Sequence, residues 1–256
     1  TIGYLGHNPK DLLINELKGI RSKGWQKSIR LPPNHRQPIP FKGPQGGGYT
    51  LEALMGIVSN SKKTPDKYGY EIKSHSKSNK TVSLMTPAAD LGYEGENHFR
   101  VFMEKYGKPG TAGDGRVVFT GQHKSWNIQQ STGCILRVNG YDEATDKLDE
   151  NTDNINVELF NQNFEEVASG WSFNKLFESW NNKHQLACYV PYEKRRYEGE
   201  EHGYEYNYSN KILICEGTNI LRLIRAIHLG NVYYDPAHTI YSDRNPKARP
   251  QWRAAL

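Results

Sequence analysis

Glu52, Asp66, Glu71 and Lys73 have the residue types and the spacing to do chemistry together. In the alternation Tyr70-Glu71-Ile72-Lys73, a β-strand turns Tyr70 and Ile72 to one face and Glu71 and Lys73 to the other. A carboxylate and an amine then share a face. Asp66 just before that strand, and Glu52 on a helix able to pack behind it, complete an inventory of three acids and one amine. Such a set can hold Mg²⁺ and activate water against a phosphodiester. Glu-x-Lys alone is a common solvated strand face, so the surrounding elements carry the weight.

Those elements read as follows. Gly46-Gly47-Gly48 leads into a helix capped by Thr50, with Leu51, Leu54, Met55 and Val58 on its buried side. Glu52 then falls in the first turn, where the helix dipole favours a carboxylate for structural reasons alone. The glycine run lacks the Lys-Ser/Thr of a nucleotide P-loop, which argues against nucleotide binding. Pro65-Asp66 reads as a turn, and the apolar stretch 81–86 as a second strand forming a hairpin with the first.

Composition bounds the rest. The 256 residues suit one large domain or two fused lobes. Apolar content of 36% and a mean hydropathy of −0.79 demand an extensive polar surface. The net charge of +5 leaves 28 acids in place. A nuclease needs both: amines for backbone phosphates and a few acids for metal. Cys134, Cys188 and Cys215 lie far apart in apolar contexts and read as reduced structural residues; without a Cys-x-x-Cys pair, structural zinc is not expected. No apolar run has the length of a membrane span and no signal-peptide pattern opens the chain, so the expected compartment is the cytoplasm. The chain opens on Thr1 rather than Met, as a fragment or processed chain would.

In chain order, Asn8-Pro9 and Asp11 start a helix that runs to about Lys23, with Gly24 beyond it and Leu13, Leu17 and Ile20 buried. Residues 25–48 are Pro-rich and basic, a connector or a clamp on a nucleic-acid backbone. Residues 96–106 read as an amphipathic helix and 108–121 as a Gly-rich loop. Strands are expected at 132–138 and 155–160, with an acidic exposed loop at 141–153 between them. Ser172 caps a helix to Asn181, and 184–190 is a buried strand. Residues 192–208 mix charges with tyrosines, as a nucleic-acid surface or a long loop does. A basic amphipathic helix spans 218–228, a strand 232–235, and the tail 241–253 is basic, with Arg244, Lys247, Arg249, Trp252 and Arg253. Strands and helices alternate as in a mixed α/β sheet domain.

The ordered set of features resembles the MvaI/BcnI family of restriction endonucleases, in the MutH-like branch of the PD-(D/E)xK nucleases. The carriers are Gly48-Tyr49-Thr50-Leu51-Glu52, then Asp66 with four residues before Glu71-Ile72-Lys73, then Ser83-Leu84-Met85-Thr86. Further matches are the run from Arg100 to Gly107, Trp171-Ser172-Phe173, and Trp252-Arg253, so the resemblance covers residues 11–253. It implies a PD-(D/E)xK core with a second DNA-recognition lobe, residues 1–190 being mainly catalytic and 191–256 mainly recognition, interleaved at an approximate boundary. Asp66, Glu71 and the Ile72 carbonyl would hold Mg²⁺. Lys73 would orient or deprotonate the attacking water, and Glu52 would be an outer or second-metal carboxylate. Arg253, Arg249, Lys247 and Arg244 would meet the DNA. The implied activity is type II restriction: a monomer cuts double-stranded DNA at a short, nearly palindromic C/G-rich site, one strand per binding event, leaving 5′-phosphate and 3′-hydroxyl ends. It also implies a bacterial cytoplasm and a methyltransferase acting on the same DNA rather than on this protein.

The sequence departs from the family in places. Thr86 stands where one branch has histidine and another threonine. The segment with His-Asp near a glycine reads here Pro246-Lys247-Ala248-Arg249-Pro250. Two other functions compete: a MutH-like nicking endonuclease activated by a partner, and a non-catalytic DNA-binding module. The intact acidic set favours catalysis, because a pure binder gains nothing from acids beside phosphate.

Overall fold

The computed structural model describes residues 8–59, 64–79, 81–181, 184–199 and 201–255; the Thr1 end lies outside them. Helix α1 (Pro9–Ser22) forms where its caps demand: Asn8 Oδ1 accepts the Lys10 N–H at 3.0 Å, and Gly24 closes the far end at φ 68°. Then come β1 (Gln26–Lys27), β2 (Ile29–Arg30), β3 (Ile39–Pro40), α2 (Gly46–Leu54) and β4 (Glu71–Ser76). The middle of the chain holds β5 (Thr81–Met85), α3 (Gly92–Glu96), α4 (Phe99–Tyr106), β6 (Lys108–Pro109), β7 (Val117–Thr120) and β8 (Cys134–Asn139). It continues with β9 (Tyr141–Asp142), β10 (Lys147–Leu148), β11 (Asn156–Asn161), β12 (Glu166–Ser172) and α5 (Phe173–Asn181). The remainder is β13 (Leu186–Arg196), β14 (Tyr204–Tyr208), β15 (Leu213–Glu216), α6 (Ile220–His228), β16 (Val232–Tyr234), β17 (Ala237–Ile240) and β18 (Trp252–Ala255).

The chain divides into two compact units, Thr1–Lys80 with Asn182–Thr218, and Thr81–Asn181 with Asn219–Leu256. The two units interleave along the chain, and strand β13 of the first runs through residue 190. In the first unit, residues Ala187, Cys188 and Tyr189 of β13 pair on both edges, antiparallel with β15 and parallel with β4. Further along, β13 pairs with β14, and β14 with β1. The core joins Leu13, Leu17 and Ile20 of α1, Leu51 and Met55, Tyr70 and Ile72, Cys188 and Val190, and Tyr206 and Tyr208. Residues 192–208 are therefore largely a strand pair rather than a loop, since alternate tyrosines at 206 and 208 are buried.

Among the described residues, the second unit holds three three-stranded sheets, β12-β11-β8, β16-β18-β5 and β17-β7-β6, and a β9–β10 hairpin in the acidic stretch. Trp171, Tyr234 and Trp252 form its aromatic centre, with ring centroids 4.6 to 5.4 Å apart. The expected 96–106 helix is interrupted at Asn97, which is extended, and the 108–121 loop contains β6 and β7. Ser172 caps α5 as expected, its hydroxyl oxygen accepting the Lys175 N–H at 3.2 Å. The expected hairpin between residues 71–76 and 81–86 does not form. Strand β5 pairs with β18 in the second unit, where it lies beside buried Trp252, while β4 takes β13, whose Cys188 and Val190 continue the apolar face of Ile72.

Candidate active site

Strand β4 owes its position to its apolar face. Tyr70 and Ile72 are buried in the first unit's core, which leaves Glu71 and Lys73 together on the opposite face. There Lys73 Nζ donates to Glu71 Oε1 at 3.1 Å, with the Glu71 side chain 7% and the Lys73 side chain 20% exposed.

Asp66 reaches this place through a turn. Tyr68 and Gly69 both have positive φ, 53° and 82°, the signature of a type I′ turn, which closes a tight hairpin. The Tyr70 N–H donates to the Lys67 carbonyl at 2.9 Å, and the Asp66 N–H donates to the Tyr70 carbonyl at 3.0 Å. The chain folds back, and Asp66 Oδ2 accepts the Ile72 N–H at 2.8 Å. Asp66 is thus bonded to the peptide between the reactive pair. An extended residue directs its N–H and C=O to the same edge, so the Ile72 carbonyl shares the Asp66 edge. Lys67 pins the turn from outside, donating to Glu16 at 2.7 Å and to the Met55 carbonyl at 2.6 Å. Its clamping role had no signal in the sequence beyond its charge.

Glu52 requires a correction of its setting. Helix α2 starts at Gly46 after Gln45, so Thr50 lies mid-helix and Glu52 in the last turn. Thr50 does not cap: its buried hydroxyl accepts the Ile29 N–H at 3.0 Å and donates to the Ile29 carbonyl at 3.3 Å. The helix begins early because Gly46 and Gly47 let it approach the sheet. A Cβ on Gly46 would collide with the Tyr206 and Ser28 hydroxyls, and one on Gly47 with the Tyr192 ring. Near a helix C-terminus the dipole disfavours a carboxylate, so the structural account of Glu52 from the sequence does not hold. Among the described residues no three His, Cys, Asp or Glu side chains are gathered as metal ligands, so Glu52, Asp66 and Glu71 are not a three-carboxylate cage.

The donor chemistry suits a hard divalent cation. Mg²⁺ takes one or two protein carboxylates and fills its shell with water and substrate phosphate oxygens, which matches Asp66, Glu71 and a main-chain carbonyl. The nearby thiols are not rivals. Burial pushes the Cys188 thiol up to about 12, and burial also raises Cys215. All three cysteines are free, as expected.

The basic candidates lie in the second unit. Arg253 stands on β18 between Tyr233 and Ser83, half-buried, its Nη1 donating to Asp235 Oδ2 at 2.8 Å. Arg244, Lys247 and Arg249 are exposed. The Tyr241 ring gathers cations, with Arg244 at 4.4 Å, Arg116 at 5.6 Å and Lys247 at 5.8 Å from its centroid. Sequence reasoning missed Arg116 and Tyr241, because Arg116 sits in a Gly-rich stretch and Tyr241 has the character of an ordinary strand residue.

The fold and sequence have recognisable relatives. A solved structure described as a restriction endonuclease MvaI–cognate DNA substrate complex superposes with a TM-score of 0.71 at 17% identity, covering 98% of this chain and 94% of that one. Another, MvaI in the absence of DNA, gives a TM-score of 0.44 at 15% identity, over 98% and 93% of the two chains. No curated protein sequence matches. The fold is a mixed α/β architecture like that of MvaI, consistent with the PD-(D/E)xK nuclease fold. Residues 14–254 match the MvaI/BcnI restriction endonuclease family, and the chain belongs to that family of site-specific, type II DNA endonucleases.

Proposed function

We propose that this endonuclease hydrolyses double-stranded DNA with Mg²⁺ at a short, nearly palindromic C/G-rich site, as a cytoplasmic monomer cutting one strand per binding event. Asp66, Glu71 and the Ile72 carbonyl would hold the metal, which would neutralise charge developing on the phosphate. Lys73, kept beside Glu71, orients the attacking water and steadies the pentacoordinate phosphorane. Glu52 serves as an outer carboxylate. The 3′-oxygen leaves, giving 5′-phosphate and 3′-hydroxyl ends. Residues 244–253 of the second unit meet the duplex, and the DNA in the structure of MvaI supports that partner. No helix among the described residues is long and apolar enough to cross a membrane. The observation carrying the reading is the Asp66–Ile72 hydrogen bond, which sets a carboxylate against the Glu71–Lys73 pair.

The test is plasmid cleavage with Mg²⁺, with Ca²⁺ and with EDTA, followed by sequencing of the ends. Linear product of defined ends under Mg²⁺ alone supports the reading. Product that stays nicked points to a MutH-like enzyme, and an intact plasmid over varied sequences overturns catalysis.

A further inference from the structure

The imidazole of His238, on β17, is fully buried at 0% exposure, and the chemistry above does not use it. Phe119 lies nearly parallel to it at 6.2 Å between centroids, and Phe99 and Phe102 meet it edge-on at 5.3 and 6.1 Å. Its Nδ1 accepts the main-chain N–H of Arg249 at 2.8 Å. A nitrogen that accepts carries no proton, so the ring proton sits on Nε2. There it faces Glu94 Oε1 at 3.3 Å and the Tyr234 hydroxyl oxygen at 3.1 Å. Glu94 is fixed in turn, its Oε2 accepting the Ser169 hydroxyl at 2.6 Å.

The other end of this chain of bonds is the basic segment. Residues 247–249 run beside β17 through three main-chain bonds: Lys247 N–H to Thr239 carbonyl at 2.8 Å, Thr239 N–H to Lys247 carbonyl at 3.0 Å, and Ala237 N–H to Arg249 carbonyl at 3.0 Å. The Arg249 N–H goes to the imidazole instead of a main-chain carbonyl. Pro246 and Pro250 bracket the segment and have no N–H to add. Side chains two apart on an extended segment share a face, so one backbone placement sets both Lys247 and Arg249.

We infer that His238 is a positioning residue for DNA recognition: with its Nε2 set against the Tyr234 hydroxyl and Glu94, its Nδ1 fixes the backbone of Arg249 and thereby the two cations of the arm. This rests on the reading of residues 244–253 as the DNA-contacting segment. Asparagine places an acceptor oxygen near the position of Nδ1, whereas glutamine reaches only toward Nε2.

The experiment compares His238→Asn, His238→Gln and Glu94→Gln in the full chain, with thermal unfolding of each to establish that it is folded. Amide hydrogen exchange at Arg249 reads the hold itself, and the ratio of cleavage rates on the preferred site and on single-base variants reads recognition. In His238→Gln, Arg249 exchange accelerates about tenfold and site discrimination falls about tenfold, the worth of one hydrogen bond. His238→Asn retains both, and Glu94→Gln falls between. Equal losses in His238→Asn and His238→Gln, or unchanged exchange at Arg249 in His238→Gln, overturn the proposal. The parent reading fails separately: a Lys247→Ala/Arg249→Ala variant with unaltered DNA affinity and salt dependence shows that the arm does not meet DNA, whatever the exchange rates.

Discussion

At the start of β4 the reactive groups are tied down on several sides, whereas along residues 244–249 the basic side chains reach into solvent and chiefly their backbone is held. Glu71 is buried against Lys73, and Asp66 is bonded to the Ile72 peptide. Arg244, Lys247 and Arg249 are exposed, while the segment is stitched to β17 and His238. The difference follows from the two tasks. Charge developing at one phosphorus is stabilised only by groups already aimed at it, so reorganisation must be paid for in folding. Contacts to a duplex are spread over many phosphates and base edges, and flexible cations on a fixed backbone serve them.

The comparison can be broken first at the acids. Asp66→Ala, Glu71→Ala and Lys73→Ala should each lower the cleavage rate about a thousandfold or more, with DNA binding in Ca²⁺ retained in a gel-shift assay. Residual cleavage near wild type in Asp66→Ala would move the metal site elsewhere.

Next comes the support of that site. Gly47→Ala should destabilise the protein by about 1–3 kcal/mol in urea unfolding, because the added methyl overpacks against Tyr192. An unchanged midpoint would mean that α2 is not pressed on the sheet.

The second unit should be the acid-sensitive one. His123 is buried, and that burial lowers its pKa from 6.5 to about 4. A depressed folded value means that stability is full above the unfolded pKa and is lost as pH falls from about 6.5 towards 4. Between pH 7 and 5 this group should cost about 2 kcal/mol. In His123→Gln, which keeps a polar group near Thr132, that pH-dependent loss should shrink by the same amount. Equal losses in both proteins would assign the acid sensitivity to other groups.

The smallest effects belong to single cations. Lys247→Ala and Arg249→Ala should each weaken binding by about 1 kcal/mol and lower the salt slope by about 1 if they meet phosphates. Arg253→Ala, which frees Asp235, should instead lower specific binding more than nonspecific binding. Equal loss on both would make Arg253 a backbone contact.

Much of this molecule was determined by the sequence alone, wherever neighbours within a turn decide the outcome. Asn8-Pro9 and Gly24 bound α1, Ser172 caps α5, and the alternation through Tyr70 and Ile72 sets which face carries Glu71 and Lys73. The basic tail and the acidic set were likewise legible as chemistry. Only the tertiary structure decided which strands pair and what each charged group meets. Pairing is long-range: β4 and β5 adjoin in sequence, yet each pairs elsewhere, β4 beside buried Val190 and Cys188 in one unit and β5 beside buried Trp252 in the other. Thr50 has the appearance of a cap until the glycines before it prove small enough to extend the helix under the tyrosines. Arg253 has that of a free reader until Asp235 is found 2.8 Å away, and His238 says nothing in sequence about Arg249. Such partners are selected by burial and close approach, and neither is written in the spacing of residues along the chain.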